Sequence, residues 1–178
     1  MAFGRPKKPP TPLVYDELLD YAVKSLSAKM KSIRDLRRKL LDRAESEADV
    51  DLVLTKLKDL GYLSDERFAA DYTRLRQEND KFGRRRVQQG LMQRGIATPL
   101  ANETLDKAYE DVDEVKLARE YIARKRMKQP EGDREQRQKE SARAMRRLIG
   151  AGFSAKAVYK VLREWEPELE EVDIDDAE

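Results

Sequence analysis

Apolar residues recur at helical spacing along most of the chain, and three segments repeat one local pattern. Each has a small or apolar residue, a Leu four positions later, and Ala or Gly four positions after that; the segments begin at Leu36, Val87 and Ala144. Positions i and i+4 share one face of a helix, so these residues form an apolar stripe and the polar residues between them face outward. The pattern predicts three equivalent helices.

A second helix precedes each of these segments and a third follows it. The stretches "AVKSLSAKMK" from Ala22 and "AREYIARKRMK" from Ala118 share an Ala, an aliphatic residue four later and a Lys, and "AADYTRLR" from Ala69 is a looser copy. Thr98, followed by Pro99, and Ser154 are predicted N-caps of third helices. No segment shows strand alternation with turn chemistry.

This repetition predicts an all-α fold, an elongated tandem array of three three-helix repeats. We expect helical repeats over residues 15–63, 64–112 and 113–166, because units of this length complete their cores against their neighbours. Residues 1–14 are predicted to be a flexible basic and Pro-rich arm, and residues 167–178 an acidic tail.

Single residues mark the predicted helix ends. Ser32, with Asp35 three positions later, resembles a capping box. Gly95 and Gly152 follow apolar stripes, where a helix ends in the left-handed conformation. Gly83 precedes three arginines, and we expect it to give the chain a sharp turn there.

The charges are strongly segregated along the chain. It has 178 residues, 39% of them hydrophobic and 40% charged, a balance typical of helical assemblies with much exposed surface. No Lys or Arg follows Arg163, whereas nine acids do, so residues 1–163 hold 26 acids against 37 bases, an excess of about +11. A basic body attracts phosphate or an acidic protein surface. The tail either competes for the same surface or is solvated and disordered.

The residue types that are missing exclude several classes of site. With no Cys and no His there is no disulfide, thiolate or histidine metal site, catalytic triad or histidine acid/base. No phosphate-binding glycine loop of the GxxxxGK[ST] type occurs. We therefore expect no enzyme and no cofactor or metal. No apolar stretch approaches the roughly 20 residues of a membrane span, and no signal peptide is evident, so we expect a cytoplasmic protein without a membrane partner.

The stretch "DERFAADYTRLRQENDKFGRRRVQQGLMQRG" from Asp65 combines aromatic residues with a run of arginines. Phe68, Tyr72 and Leu75 fall at positions i, i+4 and i+7, and we predict that they face the core rather than stack on bases. The core residues predicted for the middle repeat are Phe68, Tyr72, Val87, Leu91 and Ile96. Arginines in the first turn of a helix oppose its dipole, and an anionic partner is the simplest reason for them. The alternative is a solvated, salt-bridged face.

Basic clusters stand at equivalent helix positions in the three repeats, and regular stacking would align them in one strip. We expect this strip to bind an anionic partner through side chains at its outward positions. The predicted contact residues are Arg37, Arg38, Arg84, Arg85, Arg86, Arg146 and Arg147.

The segment "GYLSDERFAADYTRLRQENDKFGRRRVQQGLMQRGI", from Gly61 to Ile96, resembles the central signature of the RecX family. It has the Gly-Tyr-Leu turn, the Asp-Glu-Arg-Phe-Ala helix start, the Gly before basic residues and the Leu-xxx-Gly-Ile ending. The resemblance extends more loosely over most of residues 15–165 and leaves both tails uncovered.

The resemblance implies a non-catalytic regulator of the RecA recombinase, built from tandem three-helix repeats. Such a protein lies in the groove of the RecA filament on single-stranded DNA and inhibits its ATPase, strand exchange and filament extension. We expect a monomer. Two alternatives stay open on the residues alone: a helical-repeat protein that binds DNA directly without RecA, and a scaffold for another acidic protein.

Overall fold

The computed structural model of the chain describes residues 11–165. Within that range the backbone forms nine α-helices and no strand, with one isolated bridge between Leu13 and Ala44. The all-α prediction is confirmed for these residues. The helices are α1 Tyr15–Ala28, α2 Ile33–Leu41, α3 Glu47–Asp59, α4 Asp65–Glu78, α5 Arg84–Gln93, α6 Thr98–Tyr109, α7 Glu114–Arg124, α8 Arg134–Gly150 and α9 Ala155–Arg163.

The chain divides into two compact units, residues 1–68 and residues 69–178, and the boundary between them falls within α4. The helices follow one another in three successive groups of three, as the repeat pattern predicts. The boundaries of the three repeats stay a prediction. Most of the predicted arm and the whole predicted acidic tail lie outside the described residues. Among the helices of residues 11–165, none is long and apolar enough to cross a membrane.

In the first unit, α1, α2 and α3 pack against one another around an aliphatic core. Its side chains fall at helical spacing on each helix, so every helix turns one apolar face inward. The fully buried members include Leu18, Leu36, Leu40, Val50, Val53 and Leu57.

Two side chains cap the start of α2. The Ser32 hydroxyl accepts a hydrogen bond from the Asp35 N–H at 3.1 Å, which confirms the predicted cap. The Asp65 carboxylate, at the start of α4, accepts from the Ile33 N–H at 2.9 Å. Burial raises the pKa of Asp65, whereas the hydrogen bond from Ile33 lowers it. Burial has the larger effect, so the pKa of Asp65 lies above its ordinary value. The Asp65 contact was not predicted, because the cap is 32 residues away in sequence.

In the second unit, α5 packs on α6, and α9 packs on both α7 and α8. Phe153 lies at the centre of the last three helices, fully buried, with its ring edge against Tyr121 at 5.7 Å between centroids. Val87 and Leu91 of α5 are fully buried, as predicted, and Ile96 is nearly so. Phe68, the last residue of the first unit, is also nearly buried, as predicted. Ser154 caps α9 by accepting from the Ala157 N–H, also as predicted.

Three local predictions are wrong. Leu75 is 37% exposed, whereas Thr73, two residues earlier on the same helix, is fully buried. Tyr72 is only half-buried, and the guanidinium groups of Arg76 and Arg94 lie over its ring at 5.0 and 4.7 Å from the centroid. Thr98 is the first residue of α6 rather than its cap, and Ala97 stands at the N-cap position without a side-chain hydrogen bond.

Candidate anion-binding surface

The predicted arginine run forms the first turn of α5. Gly83 is the N-cap residue and offers no side chain, and no acid stands in this first turn. Because Val87 and Leu91 face the core, Arg85 and Arg86 point away from it and are exposed, whereas Arg84 is half-buried. The sequence therefore places three cations at the helix end that repels them.

The C-terminal end of α8 meets this end of α5. The Gly83 N–H donates to the Ala151 carbonyl at 2.9 Å, and the Arg85 N–H donates to the Gly152 carbonyl at 3.3 Å. Carbonyls at the negative end of α8 thus satisfy N–H groups at the positive end of α5. The helix dipole alone therefore does not require an anion from outside, contrary to the reasoning from sequence.

Two glycines make this contact possible. A Cβ atom on Gly83 would lie 2.3 Å from the Gly152 carbonyl oxygen, and one on Gly152 would lie 2.3 Å from the Arg86 nitrogen. Gly152 also has a φ of +92°, the left-handed conformation predicted for a helix end. Gly83 has a φ of −71°, which any residue adopts, so its backbone conformation does not require glycine. Gly83 is needed for close approach instead.

The three arginines of α5 have different surroundings. The Arg84 guanidinium forms an ion pair with Asp106 of α6 at 2.5 Å. The Arg86 guanidinium lies over the ring of Phe82, 5.9 Å from its centroid. Within residues 11–165, the side chain of Arg85 has no ion pair or hydrogen bond. Arg84 is thus engaged inside the protein, whereas Arg85 and Arg86 are available to a ligand.

Arg146 and Arg147 stand on α8 just before its contact with α5. Both are exposed, and within the described part of the chain neither has a carboxylate partner. Arg147 lies five residues before Gly152, roughly 7.5 Å along the helix axis. The structure therefore brings two of the predicted clusters, Arg84 to Arg86 and Arg146 with Arg147, to one junction.

The third predicted cluster belongs to the first unit. The Arg37 guanidinium contacts Asp51 and also Glu47, the latter at 2.6 Å, and the hydrogen bonds that it donates to these carboxylates raise its pKa. Arg38 is 77% exposed and 3.3 Å from Asp35. Arg37 thus has its partners on α3 and Arg38 has its partner on α2, as a solvated, salt-bridged face would have. The single strip through three clusters stays a prediction.

Reasoning from sequence missed the residues that support the arginines. Phe82, beneath Arg86, packs against Tyr121 at 6.2 Å between ring centroids, and its carbonyl accepts from the Tyr109 hydroxyl at 2.8 Å. Burial raises the pKa of Tyr109, so it stays a neutral donor. The sequence contained one local indication of this contact: Phe82 is an aromatic residue four positions before Arg86. Residues 11–165 contain no group of three or more acids arranged to hold a metal ion.

Comparison with known proteins gives consistent matches. The sequence model described as "RecX, second three-helix domain" matches residues 64–105. A "Regulatory protein RecX" from Leptothrix cholodnii is 35% identical over 142 residues, which are 80% of this chain and 85% of the relative. Another from Neisseria meningitidis serogroup B is 34% identical over 151 residues, which are 84% of this chain and 92% of the relative.

Two solved structures share the fold. The crystal structure of RecX from Lactobacillus salivarius superposes with a TM-score of 0.62 at 20% identity and covers 86% of this chain and 97% of that one. A crystal structure of a regulatory protein RecX gives a TM-score of 0.67 at 26% identity, over 84% of this chain and 73% of that one. The chain therefore shares the all-α fold of solved RecX structures.

Proposed function

Because the chain belongs to the RecX family of regulatory proteins, we propose that it is a non-catalytic regulator of the RecA recombinase. It binds the RecA filament on single-stranded DNA and inhibits its ATPase, strand exchange and filament extension. The observation that carries this proposal is the family membership, since 80% of the chain aligns with a regulatory protein at 35% identity.

The exposed arginines are compatible with a negatively charged partner. Arg85, Arg86, Arg146 and Arg147 lie on preformed helices, so binding costs little ordering of the backbone. A regulator of this kind acts by binding one state of the filament more tightly than another, because a ligand shifts an equilibrium only through differential affinity. The same logic requires no catalytic group in the regulator itself.

A binding experiment tests the proposal. The protein is passed over immobilised single-stranded DNA, over the same strand coated with the cognate RecA, and over RecA without DNA. Binding to the coated strand should be tighter than to either component alone, since the proposed target is the assembled filament. Equal binding to bare and coated strands would contradict the proposal and favour direct DNA binding without RecA.

A further inference from the structure

Charged side chains of the second unit fall into two groups according to their helical neighbours. Some exposed cations have an acid three or four residues away and pair with it: Arg74 pairs with Asp71 and Glu78, and Lys107 pairs with Glu103. These are ordinary surface pairs with small effects on stability. They form the solvated faces expected of a helical protein.

Four exposed arginines at the α5–α8 junction belong to the other group. Arg85, Arg86, Arg146 and Arg147 have no Asp or Glu three or four residues away in either direction. None of them has a carboxylate partner among the described residues. Arg143 and Arg147 are moreover like charges at i and i+4, which repel each other. The sequence thus leaves uncompensated positive charge at this junction.

The junction also fixes the two pairs of arginines relative to each other. The Gly83 N–H donates to Ala151, the Arg85 N–H donates to Gly152, and a Cβ on Gly152 would collide with the backbone nitrogen of Arg86. These contacts join the backbone that carries Arg85 and Arg86 directly to the end of the helix that carries Arg146 and Arg147. They also occupy backbone N–H groups at the start of α5, so a ligand here meets guanidinium groups rather than a helix end.

The surrounding side chains favour phosphate over a protein surface. The outward positions near the junction carry Arg and Gln89, which donate hydrogen bonds to phosphate oxygens. Ile149, 40% exposed, is the large apolar side chain exposed on the last two turns of α8. Stable protein interfaces have a buried apolar centre, and this surface offers little to build one.

We propose that Arg85 and Arg86 of α5 together with Arg146 and Arg147 of α8 form one site for the sugar-phosphate backbone of a single nucleic-acid strand. Gly83 and Gly152 are positioning residues that hold its two halves together. The inference rests on the proposed function and extends it, because it identifies the DNA strand as the part of the filament that this surface binds. It leaves out Arg37 and Arg84, which have carboxylate partners.

The site is tested on the full chain with fluorescein-labelled oligothymidine of roughly 16 nucleotides, followed by fluorescence anisotropy at several salt concentrations. We compare Arg85→Ala/Arg86→Ala, Arg146→Ala/Arg147→Ala and the quadruple variant. The control is Arg74→Ala/Lys107→Ala, which removes the same charge from ion-paired positions of this unit. In a single site, either pair of substitutions weakens binding about tenfold and lowers the salt slope by about 1.4, because two phosphates are no longer neutralised.

The same titration tests the positioning role of the glycines. Gly83→Ala keeps all four arginines, yet it should weaken binding as much as the loss of one pair and lower the salt slope similarly. Gly150→Ala, whose added Cβ meets nothing within 4 Å, should bind like the unchanged protein. If Gly83→Ala fails to fold, the unchanged protein is titrated with oligothymidines of increasing length. Its affinity should rise with length until one strand reaches both arginine pairs and should then level off.

The outcomes separate this inference from the proposed function. If the pair variants bind oligothymidine like the control, or if each pair leaves a second site of full affinity, the single site is wrong. If those variants lose filament binding but not oligothymidine binding, the surface takes a protein, and the filament proposal stands without this site. Arginine-dependent binding to oligothymidine by a protein with no effect on the filament would uphold the site and overturn the proposed function.

Discussion

Single residues decide which arginines of the chain are available to a partner. Arg37 and Arg84 belong to the predicted contact set, yet each contacts a carboxylate of a neighbouring helix, whereas Arg85 and Arg146 do not. The sequence predicted that all of these arginines face outward, because the direction of a side chain on a helix follows from the position of the apolar stripe on the same helix. It did not predict the partners Asp51 and Asp106, because those depend on how helices pack.

Leu91 tests the assignment of core residues. It is fully buried on α5, and Leu91→Ala should lower the free energy of unfolding by about 2–5 kcal/mol through lost burial and a cavity. The neighbouring Met92→Ala is the control, because Met92 is 46% exposed and should cost less than about 1 kcal/mol. Urea unfolding followed by circular dichroism measures both. Equal losses would contradict the assignment.

Asp65 gives a pH dependence with a defined sign. Its pKa is raised above the ordinary 3.8, mainly because burial disfavours the carboxylate. The stability that it contributes is therefore greatest below pH 3.8 and falls as the pH rises through the raised pKa. Asp65→Asn keeps an acceptor for the Ile33 N–H but cannot ionise.

The measurement is urea unfolding of the unchanged protein and Asp65→Asn from about pH 3 to about pH 7. The free energy of unfolding of the unchanged protein, less that of the variant, should decline as the pH rises. A difference that stays flat or grows with pH would show that the hydrogen bond from Ile33, and not burial, governs Asp65.

At the scale of helices, local rules predicted what depends on neighbours in sequence. Ser32 and Ser154 cap helices as expected, because an N-cap bonds to an N–H three residues on. Gly95 and Gly152 take the left-handed conformation, also as expected. The contact of Gly83 with Gly152 could not be predicted in this way, because it joins residues far apart in sequence and leaves no local pattern.

Two glycine substitutions distinguish a glycine that is needed for close contact between helix ends from one that only affects the stability of its own helix. Gly83→Ala should lower the free energy of unfolding by about 1–3 kcal/mol, because its Cβ would meet the backbone of Gly152, which cannot move aside like a side chain. Gly150→Ala, at the last residue of α8 with open space around it, should raise stability by up to about 1 kcal/mol. Thermal or urea unfolding measures both, and a neutral Gly83→Ala would mean that the two helix ends are not held together.

At the scale of the whole molecule, the sequence predicted the fold class and the family from different signals. Apolar spacing indicated helices, and the segment from Gly61 to Ile96 carried the resemblance that the comparisons confirm. Net charge alone said little, because +2 conceals a basic body and an acidic end. The sequence did not predict that two arginine clusters lie at one junction, since this depends on the contact of the start of α5 with Ala151 and Gly152, just after α8.

The most direct test is the single-stranded-DNA-dependent ATPase rate of the cognate RecA, measured while this protein is titrated. Alongside it run Arg84→Ala/Arg85→Ala/Arg86→Ala and a control of equal charge, Arg74→Ala/Lys107→Ala/Lys139→Ala, whose residues all have surface ion pairs. We predict inhibition by the unchanged protein and the control at well under one molecule per recombinase, and weaker inhibition by the α5 variant. An ATPase rate that none of the three proteins changes would contradict the account.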